Sequence, residues 1–151
     1  MSEASFHPPK HWAVEPREQI LALEEKLAQM PQVECELDHI FSDGLYVRSM
    51  HIPAGTALTG KVHKRDHVNF LMKGTIRVLT DDGMKLLKAP QIIPSKKGIK
   101  RAGFALTDVT WTTVHATAAT DVETAEAELV EEGRPHILEL LKDGKKTGEL
   151  K

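Results

Sequence analysis

The chemistry in this chain centres on two histidines, His63 and His67, four residues apart in the run from Gly60 to Gly74. Neutral imidazole is the commonest protein ligand for a metal ion and titrates near physiological pH. Along a strand, side chains alternate between faces. Read that way, Lys61, His63, His67 and Asn69 share one face, while Val62, Val68 and Phe70 point to the other. Such a polar face is either a solvated surface or the lining of a pocket. The same spacing would also put both rings on one side of a helix. That reading fails because no Glu follows the first His, as the helical zinc-protease pattern requires. The residues from Phe70 to Val78 also continue as strand and turn. No Ser-His-Asp order, P-loop or dinucleotide glycine pattern is present.

The elements that must hold these residues come from the periodicity. Pro16 suits a first helical position, and Ile20, Leu23, Leu27 and Met30 recur at helical spacing until Pro31 ends the helix. Ahead of it, Pro8 and Pro9 mark residues 1–14 as a loose arm. From about Val33 to Thr117, short β-rich runs alternate with turns at Ser42-Asp43-Gly44, Pro53-Ala54-Gly55, Asp81-Asp82-Gly83 and Lys96-Lys97-Gly98. Asp82-Gly83 predicts a hairpin with arms Thr75 to Thr80 and Met84 to Leu87. Many short strands at near-regular spacing predict a sandwich or barrel. Helix returns at the C-terminal end. Thr120 and Glu123 form a capping box, Val122, Ala125 and Leu129 an apolar stripe, and Gly133 a stop. A second amphipathic piece is expected over Pro135 to Lys142, with the remainder frayed. Glu123, Glu126, Glu128, Glu131 and Glu132 read as the wet face of the helix, and Trp111 as a packing residue.

Composition narrows the function classes. At 151 residues the chain is long enough for one domain with its own core. A net charge of −2 with no basic tract argues against nucleic acid or an anionic membrane as partner. Cys35 is the single cysteine, so neither an internal disulfide nor a thiolate metal cluster can form. With no signal-peptide pattern at the start and no apolar run of about 20 residues, the expected location is the cytoplasm.

From Leu37 to Thr117 the chain resembles the cupin superfamily. That family's first motif ends on a glycine. Counting back from Gly74 puts His67 at the position of the family's Glu, His63 at its second His and Lys61 at its first. Pro94 to Ala105 resembles the second motif, with Gly98 as its glycine, Arg101 at its His and Ala105 at its Asn. Pro53-Ala54-Gly55 resembles the turn before the first motif. In order, Asp43 to Arg48, Pro53 to Gly55, His63 and His67, Lys73-Gly74, Lys100 to Gly103 and Trp111 to His115 also resemble short cupin-like proteins of bacteriophages.

The resemblance implies an all-β, cupin-type jelly-roll barrel over residues 37–118. Residues 1–36 would form an N-terminal arm and packing helix, and residues 119–151 C-terminal helices and a tail. It implies a pocket inside the barrel and a homodimer. A cupin metal site usually holds three His and one Glu, and two imidazoles alone bind weakly. His115, on the run Trp111 to His115, is therefore the candidate third ligand. His63, His67 and His115 would suit Zn, Fe, Mn or Ni. A second reading takes the substitutions themselves. Lys61 and Arg101, joined by Arg48 and Asn69, would line a site for a small anionic ligand without a metal. A third makes the barrel a non-catalytic, dimeric scaffold, structural or host-directed, in the host cytoplasm or with the virion if phage-encoded. Fold likeness alone does not choose among these.

Overall fold

The computed structural model describes residues 15–146, with side chains as far as Lys142. The loose arm expected over 1–14 and the last five residues lie outside that range. Helix α1 (Pro16–Ala28) is followed by nine strands. These are β1 (Glu36–Ser42), β2 (Leu45–Ile52), β3 (Ala57–Thr59), β4 (His67–Lys73), β5 (Thr75–Thr80), β6 (Gly83–Lys88), β7 (Gln91–Ser95), β8 (Ala102–Ala105) and β9 (Val109–Ala116). Helices α2 (Val122–Leu129) and α3 (Pro135–Lys146) complete the chain. Among the described residues no helix is long and apolar enough to cross a membrane.

The strands make two antiparallel sheets, ordered β1-β2-β9-β4-β7 and β3-β8-β5-β6. Two facing sheets with this long-range order form a jelly roll. Register follows the turns. Asp43 and Gly44 take positive φ between β1 and β2, and Gly83 does so in the expected β5–β6 hairpin. Gly74, at the β4–β5 turn, is fixed doubly. Its φ is +90°, and a Cβ there would stand 2.1 Å from the Asp108 carbonyl oxygen.

The inner face of the larger sheet grades along its length. At one end Ile52 pairs with Val109, and with Leu71, Ile76, Val78, Leu87 and Ala105 they form the apolar core. At the other end Tyr46 pairs with His115, and Arg48 with Thr113. The polar end is not closed by strands. Helix α2 covers it, packing Ala125 and Leu129 on Tyr46. On the far side α1 lies against β3 and β5 with Ile20 fully buried. Glu24 ties α1 down: Oε2 accepts from Thr59 at 3.0 Å and from the buried Lys100 ammonium, and Oε1 accepts from Arg134 Nη2 at 3.1 Å.

Four local expectations are corrected. The run from Gly60 to Asp66 is not strand. It is a loop held by an isolated bridge between His63 and Val130, and β4 begins only at His67. The α2 cap is Asp121, not Thr120, because the Asp121 carboxylate reaches both the backbone N–H (2.8 Å) and the hydroxyl (2.9 Å) of Thr124. Helix α2 ends at Leu129 rather than at Gly133, since Val130 turns extended to meet His63. Helix α3 runs on to Lys146, past the expected Lys142.

Candidate functional site

The polar end of the barrel encloses a cavity of about 250 Å³. His63, His67, His115, Arg48, Asn69 and Arg101 all line it, so the structure brings together residues from β2, β4, β9 and two loops. Lys61 reaches the same cavity from an exposed position on the Gly60–Asp66 loop.

The three imidazoles arrive by different routes. Val68 pairs with Val114, so one further step along the β4–β9 ladder sets His67 beside His115. His63 is delivered by its loop. That loop is pinned by backbone hydrogen bonds from Lys64 N to Leu129 O and from Glu131 N to Val62 O, each 2.8 Å. The rings stack with centroids 4.1 Å apart for His63–His67 and 4.8 Å apart for each of the other pairs. One nitrogen from each ring lies within 4.8 Å of the others.

The hydrogen-bond inventory of these rings is incomplete. His67 Nδ1 lies 3.1 Å from the Arg65 carbonyl. A carbonyl can only accept, so Nδ1 carries the proton and Nε2 presents a lone pair. That Nε2 is buried without a partner, as are Nδ1 of His115 and Nε of Arg48. Buried polar atoms are nearly always satisfied, and each exception calls for an explanation.

Electrostatics keep the rings neutral. Burial, then the neighbouring His67, His115, Arg48 and Arg101, pushes His63 down to about 3. Burial, then His67 and Arg48, pushes His115 down to about 4. His67 is lowered chiefly by burial, against the opposing pull of the Arg65 carbonyl. Burial also lowers Arg101.

Asn69 organises the adjoining wall. Its Oδ1 accepts from Trp111 Nε1 (3.1 Å) and Thr113 Oγ1 (2.9 Å), and its Nδ2 donates to Ser95 Oγ (2.7 Å) and the Ile93 carbonyl (3.3 Å). Arg101 donates to the same Ser95 oxygen and lies 5.7 Å from the Trp111 ring centroid. Trp111 is thus both a packing residue and part of the lining. Arg48 Nε is buried without a hydrogen-bond partner, and among the described residues neither guanidinium lies within ion-pair distance of a carboxylate, although Glu126 lines the same cavity.

Glu126, read from sequence as part of the wet helix face, is half-buried and lines the cavity. It lies four residues after Val122 and three before Leu129, a helical spacing that puts it on the stripe side. Tyr46, also in the lining, donates or accepts at 2.7 Å with His39 Nδ1. Nothing in its local sequence separates it from an ordinary core tyrosine.

No family model matches the sequence, and no curated protein matches it. Among solved structures the chain is similar to the oxalate decarboxylase of Lactobacillus farciminis in its formate complex. The TM-score is 0.52 and the identity 17%, over 66% of this chain and 32% of that one. It is similar to a putative ethanolamine utilization protein Q from Salmonella typhimurium, with a TM-score of 0.50 and 14% identity over 61% of this chain and 76% of that one. It is also similar to an RmlC-like cupin family protein with a double-stranded beta-helix fold from Methanocaldococcus jannaschii, with a TM-score of 0.47 and 11% identity over 56% and 81%. Likeness at such identities is a likeness of fold, and the two-sheet jelly roll with helices at both ends is a cupin-type barrel.

Proposed function

We propose that the cavity holds one divalent transition metal on His63, His67 and His115, and beside it a small anionic ligand on Arg48 and Arg101. Lys61 draws the anion in from the rim, and Asn69 acts by fixing Trp111, Thr113 and Ser95. The observation that carries this reading is the convergence of three cavity-wall imidazoles whose nitrogens lie within 4.8 Å of one another. The partnerless Nε2 of His67 adds to it. Three neutral imidazoles are a fitting donor set for Zn, Fe, Mn or Ni, with positions left open. Zinc bonds imidazole nitrogen at about 2.0–2.1 Å, so the His63–His115 contact of 2.7 Å needs only a small opening to admit an ion. When bound, such an ion acts as a Lewis acid toward an oxygen of the ligand. The chain's own residues supply the rest. The Arg65 carbonyl fixes the His67 tautomer, and the two guanidiniums orient a carboxylate or phosphate. The barrel walls lower the local dielectric, which strengthens both attractions.

The test strips the protein with chelator and titrates Zn, Fe(II), Mn and Ni separately, with bound metal read by elemental analysis. One equivalent is expected, lost in His67→Ala and His115→Ala. Failure of the stripped protein to take up any of the four removes the metal. Organic acids and sugar phosphates are then screened by thermal shift, and indifference to all of them removes the anion site.

A further inference from the structure

The cavity has a second end that neither the imidazoles nor the guanidiniums occupy. Along β2 the inner face runs Tyr46, Arg48, Met50, Ile52, and along the paired β9 it runs His115, Thr113, Trp111, Val109. From Arg48 to Ile52, roughly 14 Å of strand, the lining changes from charged and polar groups to thioether, indole and hydrocarbon. The opposing sheet is apolar there too. Leu58, Gly103 and Val78 form one register row across β3, β8 and β5, and all three line the cavity beside Ile76. A Cβ on Gly103 would stand 3.2 Å from Ile76 Cδ1 and 3.5 Å from Leu58 Cδ2, so methyl groups close over the bare main chain of that row.

The polar atoms divide in the same way. The buried atoms without a partner, Arg48 Nε, His67 Nε2 and His115 Nδ1, belong to the polar end. The polar side chains bordering the apolar end are already engaged. Thr59, next to Leu58, donates to Glu24 at 3.0 Å, and Trp111, paired with Met50, donates to Asn69 at 3.1 Å. A hydroxyl or second charge carried to that end would lose its water and find no side chain free to replace it. An aliphatic segment would gain by burial instead.

We propose that the ligand is a short amphiphile. Its anionic head, a carboxylate or phosphate, sits on Arg48 and Arg101, and its unsubstituted aliphatic tail lies against Met50, Ile52, Leu58, Ile76 and Val78. This rests on the anion site proposed above and narrows its class, setting alkyl acids and alkyl phosphates apart from hydroxy acids and sugar phosphates. The cavity of about 250 Å³ falls below the roughly 300–1,000 Å³ of pockets for drug-sized ligands, so the tail is short.

The test is calorimetric titration of the full chain with acetate, butanoate and hexanoate, with hexanol and adipate, and with propyl phosphate against glycerol phosphate. Each added methylene is expected to tighten binding about fourfold. Adipate, which carries a second carboxylate into the apolar end, should bind at least about tenfold more weakly than hexanoate. Propyl phosphate should bind more tightly than glycerol phosphate. Met50→Gln, with an unchanged circular dichroism spectrum, should weaken hexanoate about tenfold and acetate little. Equal affinity at every chain length overturns the inference and leaves the anion site standing. So does adipate or glycerol phosphate binding as tightly as its apolar counterpart. Hexanol binding as tightly as hexanoate upholds the apolar end and removes the anionic head, and with it the anion site. Failure of both hexanoate and hexanol to bind overturns the inference outright.

Discussion

His63 Nδ1 lies 2.7 Å from His115 Nε2, although 52 residues separate the two in sequence. Both rings are poor proton acceptors there, held at about 3 and about 4 against an ordinary value of 6.5. Between those values the unfolded chain binds more protons than the folded one, so stability rises with pH. In metal-free protein the stability is complete above about pH 6.5 and falls as the pH drops toward 4. The slope should approach about one proton for each ring. Denaturant midpoints across this range check it, and His63→Ala should flatten the curve. A wild-type midpoint that does not move between neutrality and pH 4 would show rings that titrate normally.

Arg48 lines the cavity with a buried Nε that has no hydrogen-bond partner. Arg48→Met keeps the stem and removes the charge. Charge-assisted hydrogen bonds contribute about 1.5–3 kcal/mol, so affinity for any anion found in the screen should fall about 10- to 100-fold. Calorimetric titration measures this, and metal stoichiometry should stay unchanged. Equal weakening of a neutral analogue would mean that shape, and not charge, was lost.

Asn69 is 1% exposed and makes four hydrogen bonds to protein groups. Asn69→Leu leaves Trp111 Nε1, Thr113 Oγ1 and Ser95 Oγ short of partners. Each unsatisfied group costs about 1–3 kcal/mol, so a loss of several kcal/mol is expected in chemical denaturation. Red-shifted tryptophan fluorescence should accompany it as Trp111 loosens. A loss below about 1 kcal/mol would mean that Asn69 is not the keystone of this wall.

Gly74→Ala places a methyl 2.1 Å from the Asp108 carbonyl at a positive φ. Destabilisation should exceed the ~1 kcal/mol typical of a point change, read as a lower melting temperature. Gly55→Ala, also at positive φ but with open space around it, should be milder. Equal effects at the two sites would show that φ alone matters and that the close approach is relieved by movement.

The barrel was legible because its signals are local. The Asp82-Gly83 hairpin, the Pro16 start and the strand spacing all depend on neighbours in sequence. His67 and Asn69 were legible for the same reason, since their alternation continues through β4. His63 reaches the cavity by another cause. It was expected on that strand but lies on a loop, and its position comes from pairing with Val130, a long-range contact that no local period encodes. The α2 cap slipped by one residue because Thr120 and Asp121 are both good caps and only the Asp carboxylate reaches Thr124. Glu126 was hidden among five acids read as one wet helix face, of which only Glu123, Glu126 and Glu128 lie in α2. The network joining Asn69, Trp111, Thr113 and Ser95 depends on the pairing of three strands, and sequence order does not reveal which strands are neighbours.

The bridge between His63 and Val130 makes the stretch after the last strand part of the cavity's scaffolding. A version cut back to the nine strands would keep two rings on their ladder, while the third would hang from a tether with nothing to fasten it. Minimising this protein to its barrel would therefore dismantle the triad before it unfolded the sheets.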